Sequence, residues 1–357
     1  MITLKSPREI ETMAQAGRIV AATLALMRRS VKPGMSTLDL DTLAEEFIRS
    51  HPGATPSFKG LYGFPKTLCT SINEEIVHGI PSARRVLREG NVVSIDVGVH
   101  LDGLHADSAT TVPVGEISPE ARRLLRVTEE SLYQGIEQAR IGNHVQDIGH
   151  AVQRHAEAAG FGVVRELVGH GIGTQFHEEP QVPNHGQPKR GPRLLEGMTI
   201  AIEPMITAGD YHTKTLPDKW TVVSADGSLS AHFEHTVAIL KDGPASSPPR
   251  AERASPRRCP AGPLPPSPHR AGRRPPPEVT PRANSARAVR AYYGSQQRGG
   301  PWGPARRAVI KEGNMPRLEG KPSGLPQVVV WVLVLLAVFL VLEYLNIIDV
   351  VPNLGRS

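Results

Sequence analysis

Two stretches of the chain, LREGNVVSIDVGV (87–99) and LLEGMTIAIEPMI (194–206), follow one pattern. Glu89-Gly90 aligns with Glu196-Gly197, and six residues after each glycine stands an acid preceded by isoleucine: Asp96 and Glu203. Upstream, Ser6-Pro7 and Ser118-Pro119 each open a helical pattern with an N-cap residue and a proline in the first turn. Lys32-Pro33-Gly34 followed by Thr37-Leu38-Asp39 resembles Ile141-Gly142 followed by Val145-Gln146-Asp147. The offsets are 112, 108 and 107 residues, and the drift is loop length. One unit of helix, helix and strands is therefore used twice. A duplicated α+β unit joins its two sheets and places related acids on facing strands.

The segment IDVGVHLDGLHADSATT (95–111) reads as strand, turn, strand. Asp102-Gly103 suits a two-residue type I′ loop, whose central positions both need positive φ. With that turn Leu101 faces Leu104, Asp96 faces Ala109 and Asp107 faces Gly98. Asp96 and Asp107 then share one face as diagonal neighbours, with Cα atoms roughly 7–8 Å apart. Two carboxylates that close on a buried face repel and desolvate badly, so a cation belongs between them. The competing reading puts Asp96 on a half-exposed strand and makes Asp107 a loop cap.

The 357 residues suffice for a large core. Cys69 and Cys259 are the only cysteines, which excludes a disulfide framework and a cysteine zinc finger and fits a reducing cytosol. No apolar run follows the first residues, so no secretory signal is expected. The net charge of +6 divides unevenly: −5 over residues 1–243, +12 over 244–326 and −1 over 327–357. Residues 244–326 hold 18 of the 33 prolines and 14 arginines. Such a composition cannot bury enough apolar surface to offset chain entropy, and a disordered linker is expected there.

After the second helix pair, VGHGIGTQFHEEPQVPN (168–184) carries His170 and His177 among glycines. It lacks the Lys-Ser/Thr of a phosphate loop, and its glycines suit close backbone approach around His170. SAHFEHTVAIL (230–240) places Glu234 in a strand-like run. Taken in order and spacing, IDVGVHLDGLHADSATT, GHGIG, IEPM and FEHT resemble type I methionine aminopeptidase over residues 1–243.

The resemblance implies a "pita-bread" fold, two pseudo-twofold-related α+β halves around a curved antiparallel sheet. It implies five metal ligands, Asp96, Asp107, His170, Glu203 and Glu234. Asp107 and Glu234 would bridge two divalent ions, Asp96 completing one shell and His170 with Glu203 the other. One imidazole and four carboxylates form a hard donor set that suits cobalt, manganese or iron, with zinc also admissible. By the same resemblance Glu203 would shuttle the proton, and His78 and His177 would hydrogen-bond the peptide and its tetrahedral intermediate. The pocket for the first side chain maps to Phe58, Leu61, Phe64, Cys69, Phe176 and Trp220, residues otherwise readable as ordinary core. Phe58 and Leu61 stand where the family often has cysteine and tyrosine. Both remain apolar, so a thioether still fits. The expected substrates are nascent polypeptide N-termini whose second residue is small, and the expected state is a monomer in the cytoplasm.

Two rivals stand beside this reading: an Xaa-Pro dipeptidase of the same fold, and a binding module that keeps the fold without metals. The tail beyond residue 243 has no counterpart in the resemblance. It admits three readings: an Arg-rich arm for ribosomal RNA, a membrane anchor, or a frame-shifted extension without function. VVVWVLVLLAVFLVL (328–342) is 15 residues, a helix of about 22 Å, against a bilayer core of roughly 30 Å. Extended over 327–349 it reaches spanning length, leaving residues 350–357 as a short tail. The basic segment before it would keep the catalytic domain on the inner face of the membrane.

Overall fold

The computed structural model describes residues 1–247. The first half runs α1 (Pro7–Ser30), α2 (Thr37–Arg49), β1 (Thr55–Pro56), β2 (Cys69–Ile72), β3 (Glu75–Val77), β4 (Val92–Leu101) and β5 (Leu104–Pro113). The second half opens on α3 (Pro119–Gln138) and α4 (Val145–Ala158). Its strands are β6 (Gly162–Val163), β7 (Gly169–Gly171), β8 (Glu178–Val182), β9 (Thr199–Ile202), β10 (Met205–Thr207), β11 (Thr213–Thr215), β12 (Val222–Ser224), β13 (Ser230–His232), β14 (His235–Leu240) and β15 (Gly243–Ser247).

The helices begin where the caps require. The Ser6 side chain accepts the Glu9 N–H while the Glu9 carboxylate accepts the Ser6 N–H at 2.7 Å, and Pro7 fills the first turn. Met13, Ala16, Val20, Leu24 and Met27 recur every three or four residues and make the buried stripe of α1. From Ala16 onward that stripe, with Leu40, Ala44 and Ile48 of α2, packs on Val93, Ile95, Val97 and Val99 of β4, while Met13 packs with Phe58, Phe64 and Phe176. Period-two alternation turns Ser94, Asp96 and Gly98 to the opposite face. The second half repeats the layering, with Leu124 and Leu132 of α3 and Ile148 of α4 against Ile200 and Ile202 of β9 and Val237 and Ile239 of β14.

The duplication is visible bond by bond. Gly34 N–H donates to Leu87 O at 2.9 Å and Gly142 N–H to Leu194 O at 3.2 Å. Leu87 N–H donates to Met35 O and Leu194 N–H to Asn143 O, both at 2.8 Å. Gly90 and Gly197, the aligned glycines, both hold φ 87° at the turns leading into β4 and β9.

The hairpin register is the one its turn dictates: Asp96↔Ala109, Gly98↔Asp107, Leu101↔Leu104. Asp102 (φ 49°) and Gly103 (φ 83°) are both left-handed, as a type I′ turn demands. β5 then stitches the halves together. Glu234 N–H donates to Ala109 O at 3.0 Å, Asp107 N–H donates to Thr236 Oγ1 at 2.9 Å, and that hydroxyl returns a bond to Asp107 O at 2.9 Å.

At the C-terminal end the sheet continues past Gly243. Pro244 to Ser247, which composition assigned to the linker, pair with β14 as an antiparallel strand. The remainder of the linker, the apolar segment 327–349 and the tail 350–357 lie outside the described residues. Among the described residues, no helix is long and apolar enough to cross a membrane.

Candidate active site

A cavity of about 320 Å³ opens between the halves. All thirteen residues singled out from the sequence line it: Asp96, Asp107, His170, Glu203 and Glu234 at its floor, His78 and His177 beside them, and Phe58, Leu61, Phe64, Cys69, Phe176 and Trp220 along the wall.

The floor draws on both halves. Asp96 and Asp107 stand on the paired strands β4 and β5. His170 lies in β7, Glu203 in the break between β9 and β10 before Pro204, and Glu234 in the break between β13 and β14. Asp96, Asp107 and Glu234 are 8%, 3% and 2% exposed, and each has a carboxylate oxygen with no hydrogen-bond partner. Asp107, His170 and Glu234 offer ligand atoms all within 4.8 Å of one another. His170 Nδ1 lies 2.8 Å from Gly171 O and so carries the proton, which leaves the Nε2 lone pair facing Glu203 Oε1 at 3.8 Å.

Four carboxyls in one dry pocket cannot all ionise unaided. Burial pushes Asp96 well above the usual carboxylate range, and the neighbouring Asp107 and Glu203 charges add to it. Burial raises Asp107 to about 7. Glu203 and Glu234 are pushed well up by burial and then by Asp107. Each uncompensated charge here carries a desolvation cost of several kcal/mol. Unpartnered carboxylate oxygens around an imidazole lone pair are the donor set a divalent cation needs, so these residues fit a metal centre.

The wall is apolar and interlocked. Phe58 meets Phe176 edge to face at 5.3 Å, and Phe64 meets Trp220 the same way at 5.1 Å. Gly98 makes this possible: a Cβ there would stand 2.8 Å from Ser57 Cβ, 2.9 Å from Phe176 Cε2 and 3.1 Å from Phe58 Cε1. Cys69 pairs with Asp96 across β2 and β4. Burial raises its thiol well above the usual value, so it stays a neutral, apolar surface.

His78 follows β3 with φ 60°, a strained geometry for a non-glycine residue. The adjoining turn holds it, with Gly79 N–H donating to Ser71 Oγ at 3.2 Å and Thr70 N–H to Gly79 O at 2.8 Å. Burial lowers His78 to about 4, so it is neutral at physiological pH. His177 sits at the mouth, its pKa also lowered by burial. Its ring stacks on Tyr62 at 5.6 Å, and its Nδ1 lies 3.3 Å from the Tyr62 hydroxyl.

Tyr62, Met205 and His232 were not anticipated. Tyr62 belongs to a short 3₁₀ turn (Leu61–Gly63) and takes φ 51°, which swings it to the lip. No periodicity signals such a turn. Met205 lines the cavity two residues after Glu203. His232 ends β13 two residues before Glu234, and its Nε2 lies 4.0 Å from Glu234 Oε2; its place in the run beside Glu234 is the one signal the sequence held for it.

The sequence profile of metallopeptidase family M24 matches residues 11–241. The chain belongs to that family. Within it, the similar proteins are methionine aminopeptidases: that of Clostridium acetobutylicum is 55% identical over 244 residues, spanning 68% of this chain and 97% of that protein. Methionine aminopeptidase 1 of Bacillus subtilis is 54% identical over 243 residues, again 68% and 97%. The crystal structure of methionine aminopeptidase from Thermotoga maritima superposes with TM-score 0.68 at 43% identity, covering 69% of this chain and 98% of that one. An Xaa-Pro dipeptidase from Bacillus anthracis superposes with TM-score 0.54 at 20% identity, over 68% of this chain and 61% of that one, a likeness of fold alone. The fold is thus the M24 pita-bread fold, and the chain is a methionine aminopeptidase of type I, a metallopeptidase. Phe58 packs with Phe64 and Phe176 in one apolar cluster of the pocket wall, and Leu61 lies against it.

Proposed function

We propose that this chain removes the initiator methionine from nascent polypeptides whose second residue is small, using a two-metal centre held by Asp96, Asp107, His170, Glu203 and Glu234. The observation that carries this reading is the buried carboxylate cluster, with an unpartnered oxygen on each of Asp96, Asp107 and Glu234, in a cavity with an apolar wall. When bound, two divalent cations, cobalt, manganese or iron, with zinc admissible, would supply an acidified water and polarise the scissile carbonyl.

The chain's own groups do the rest. The wall formed by Phe58, Leu61, Phe64, Cys69, Phe176 and Trp220 takes up the thioether and excludes water, which orients the first peptide bond over the floor. His78 and His177, neutral at working pH, donate N–H bonds to the peptide and to oxygen as charge develops on it. Glu203, 3.8 Å from His170 Nε2 on the cavity floor, takes a proton from the attacking water and returns it to the leaving amine.

The reading places the catalytic domain in the cytoplasm as a monomer. A ribosome-binding arm over residues 244–326 and a membrane tether over 327–349 are proposals from sequence alone. Neither enters the chemistry. The test is cleavage of Met-Ala-Ser against Xaa-Pro peptides at increasing metal. Metal-dependent release of methionine from the first supports the reading, and preference for Xaa-Pro overturns it.

A further inference from the structure

His232 is an imidazole buried to 2% exposure beside the metal-binding carboxylates, and its Nε2 has no hydrogen-bond partner. A buried polar atom left unpaired is rare and costly, of order 1–3 kcal/mol, and calls for a reason. Its surroundings supply one. Nε2 lies 3.8 Å from Glu203 Oε2 and 4.0 Å from Glu234 Oε2. The other Glu203 oxygen, Oε1, lies 3.8 Å from His170 Nε2. The carboxylate of Glu203 is thus shared between two imidazoles, one oxygen facing each.

The two imidazoles differ in what they present. His170 donates from Nδ1 to Gly171 O and so offers a lone pair toward Oε1. Two lone pairs facing each other need a cation or a shared proton between them. His232 faces Oε2, and a neutral imidazole nitrogen beside a carboxylate oxygen is stabilised when it carries the proton. Its backbone is fixed on both sides: its N–H donates to Thr111 Oγ1 and that hydroxyl donates to His232 O, both at 2.9 Å. The backbone of His232 is therefore held in the seam between β5 and β13, and the ring, 2% exposed, is enclosed there. A shift of about 0.6 Å by the Glu203 carboxyl would bring Oε2 into hydrogen-bond range.

We infer that His232 is a positioning residue: its Nε2–H engages Glu203 Oε2 and leaves Oε1 as the single oxygen that Glu203 offers to the cation it shares with His170. This rests on the reading of Glu203 as a metal ligand. The arrangement would give the His170–Glu203 side of the centre a rigidity that the carboxylates alone do not provide, because partners that orient a ligand typically contribute about 10–100-fold in metal affinity.

The test compares His232→Gln, which keeps an N–H donor at similar reach, with His232→Leu, which removes it. Cobalt(II) is titrated into each metal-free, full-length protein, followed by calorimetry and by the visible d–d spectrum, with circular dichroism as the check on folding. The expected result is a weaker site in His232→Leu by about 10–100-fold with an altered spectrum, and near-native affinity and spectrum in His232→Gln. Native affinity and spectrum in His232→Leu would overturn the inference. So would a folded His232→Gln that loses the ion, since that makes the imidazole itself a ligand. Should His232→Leu not fold, the Gln variant alone decides between these. A native protein that binds no cobalt at all refutes the ligand reading instead, which separates the two failures.

Discussion

The two halves share one plan but carry their acids differently. In the first, Asp96 and Asp107 sit inside two uninterrupted ten-residue strands, and their placement follows from ladder register. In the second, Glu203 and Glu234 sit where the ladder breaks, between strands of three to six residues. Pro204 ends β9, since it cannot donate to a ladder and forces the residue before it into extended geometry. A carboxylate in a continuous strand has its backbone fixed by neighbours on both sides. One at a break has left its own ladder and needs other groups to hold it, as Ala109 of β5 holds Glu234, accepting from its N–H at 3.0 Å and donating to its O at 3.3 Å. Asn184 Nδ2 donating to Glu203 O at 2.9 Å and His232 near its carboxylate serve that need.

The contrast is broken most severely at Asp107, which lies with Asp96 of its own half and with His170 and Glu234 of the other. Asp107→Asn keeps the shape and removes the charge. We expect metal binding and nearly all turnover to be lost, by more than the roughly 100-fold typical of outer residues, with the circular dichroism of the fold unchanged. His78→Ala should act on one link only. Metal stoichiometry stays native while kcat falls by about 10²–10³-fold, the effect of removing one donor to a developing oxyanion. Metal loss in that variant would mean His78 supports the centre rather than the substrate.

Metal removal tests the electrostatics of the floor. The native-state carboxyls of Asp96, Asp107, Glu203 and Glu234 are raised above their unfolded values, near 4 for such groups, so the metal-free fold binds extra protons. The sign follows: their favourable contribution is complete at low pH and is lost as pH rises through the raised values, about 7 for Asp107. Below about pH 6.5 the buried neutral histidines, His78, His170 and His235 lowered to about 4, act in the opposite sense, so the carboxyl effect is read above it: the melting temperature of chelated protein should fall from about pH 7 to about pH 8, and saturating metal should flatten that slope. A chelated protein whose melting temperature climbs over the same interval would show the floor to be ionised and satisfied without metal.

The mildest change sharpens the wall. Gly98→Ala puts a Cβ against Phe58 and Phe176. It should raise KM several-fold with metal content intact, at a stability cost of about 1–3 kcal/mol typical of overpacking. An unchanged KM would mean the two rings part freely.

Legibility in the sequence followed the same division. Asp102-Gly103 fixed the hairpin register, and with it the pairing of Asp96 and Asp107, because turn type and period two leave no freedom. The duplication was readable from Glu89-Gly90 and Glu196-Gly197, whose common left-handed turn demands glycine. Glu203 was legible from the repeat as the counterpart of Asp96, whereas Glu234 was legible only as a member of a family pattern, since nothing local singles it out. Tyr62 escaped because a single left-handed residue in a 3₁₀ turn has no periodic signature. The strand Gly243–Ser247 escaped because prolines and serines masked an edge strand, and Pro244 at an edge needs no N–H for the ladder. A chain ending after Ser247 rather than Gly243 should accordingly keep the sheet whole.

The central claim is that buried carboxylates of both halves hold metal for peptide hydrolysis, and its most direct test is turnover of Met-Ala-Ser by chelated protein during titration with manganese, cobalt or iron. The account predicts no measurable methionine release without metal and a rise that saturates as the centre fills. Full turnover in the chelated protein, unchanged by added metal, would contradict it.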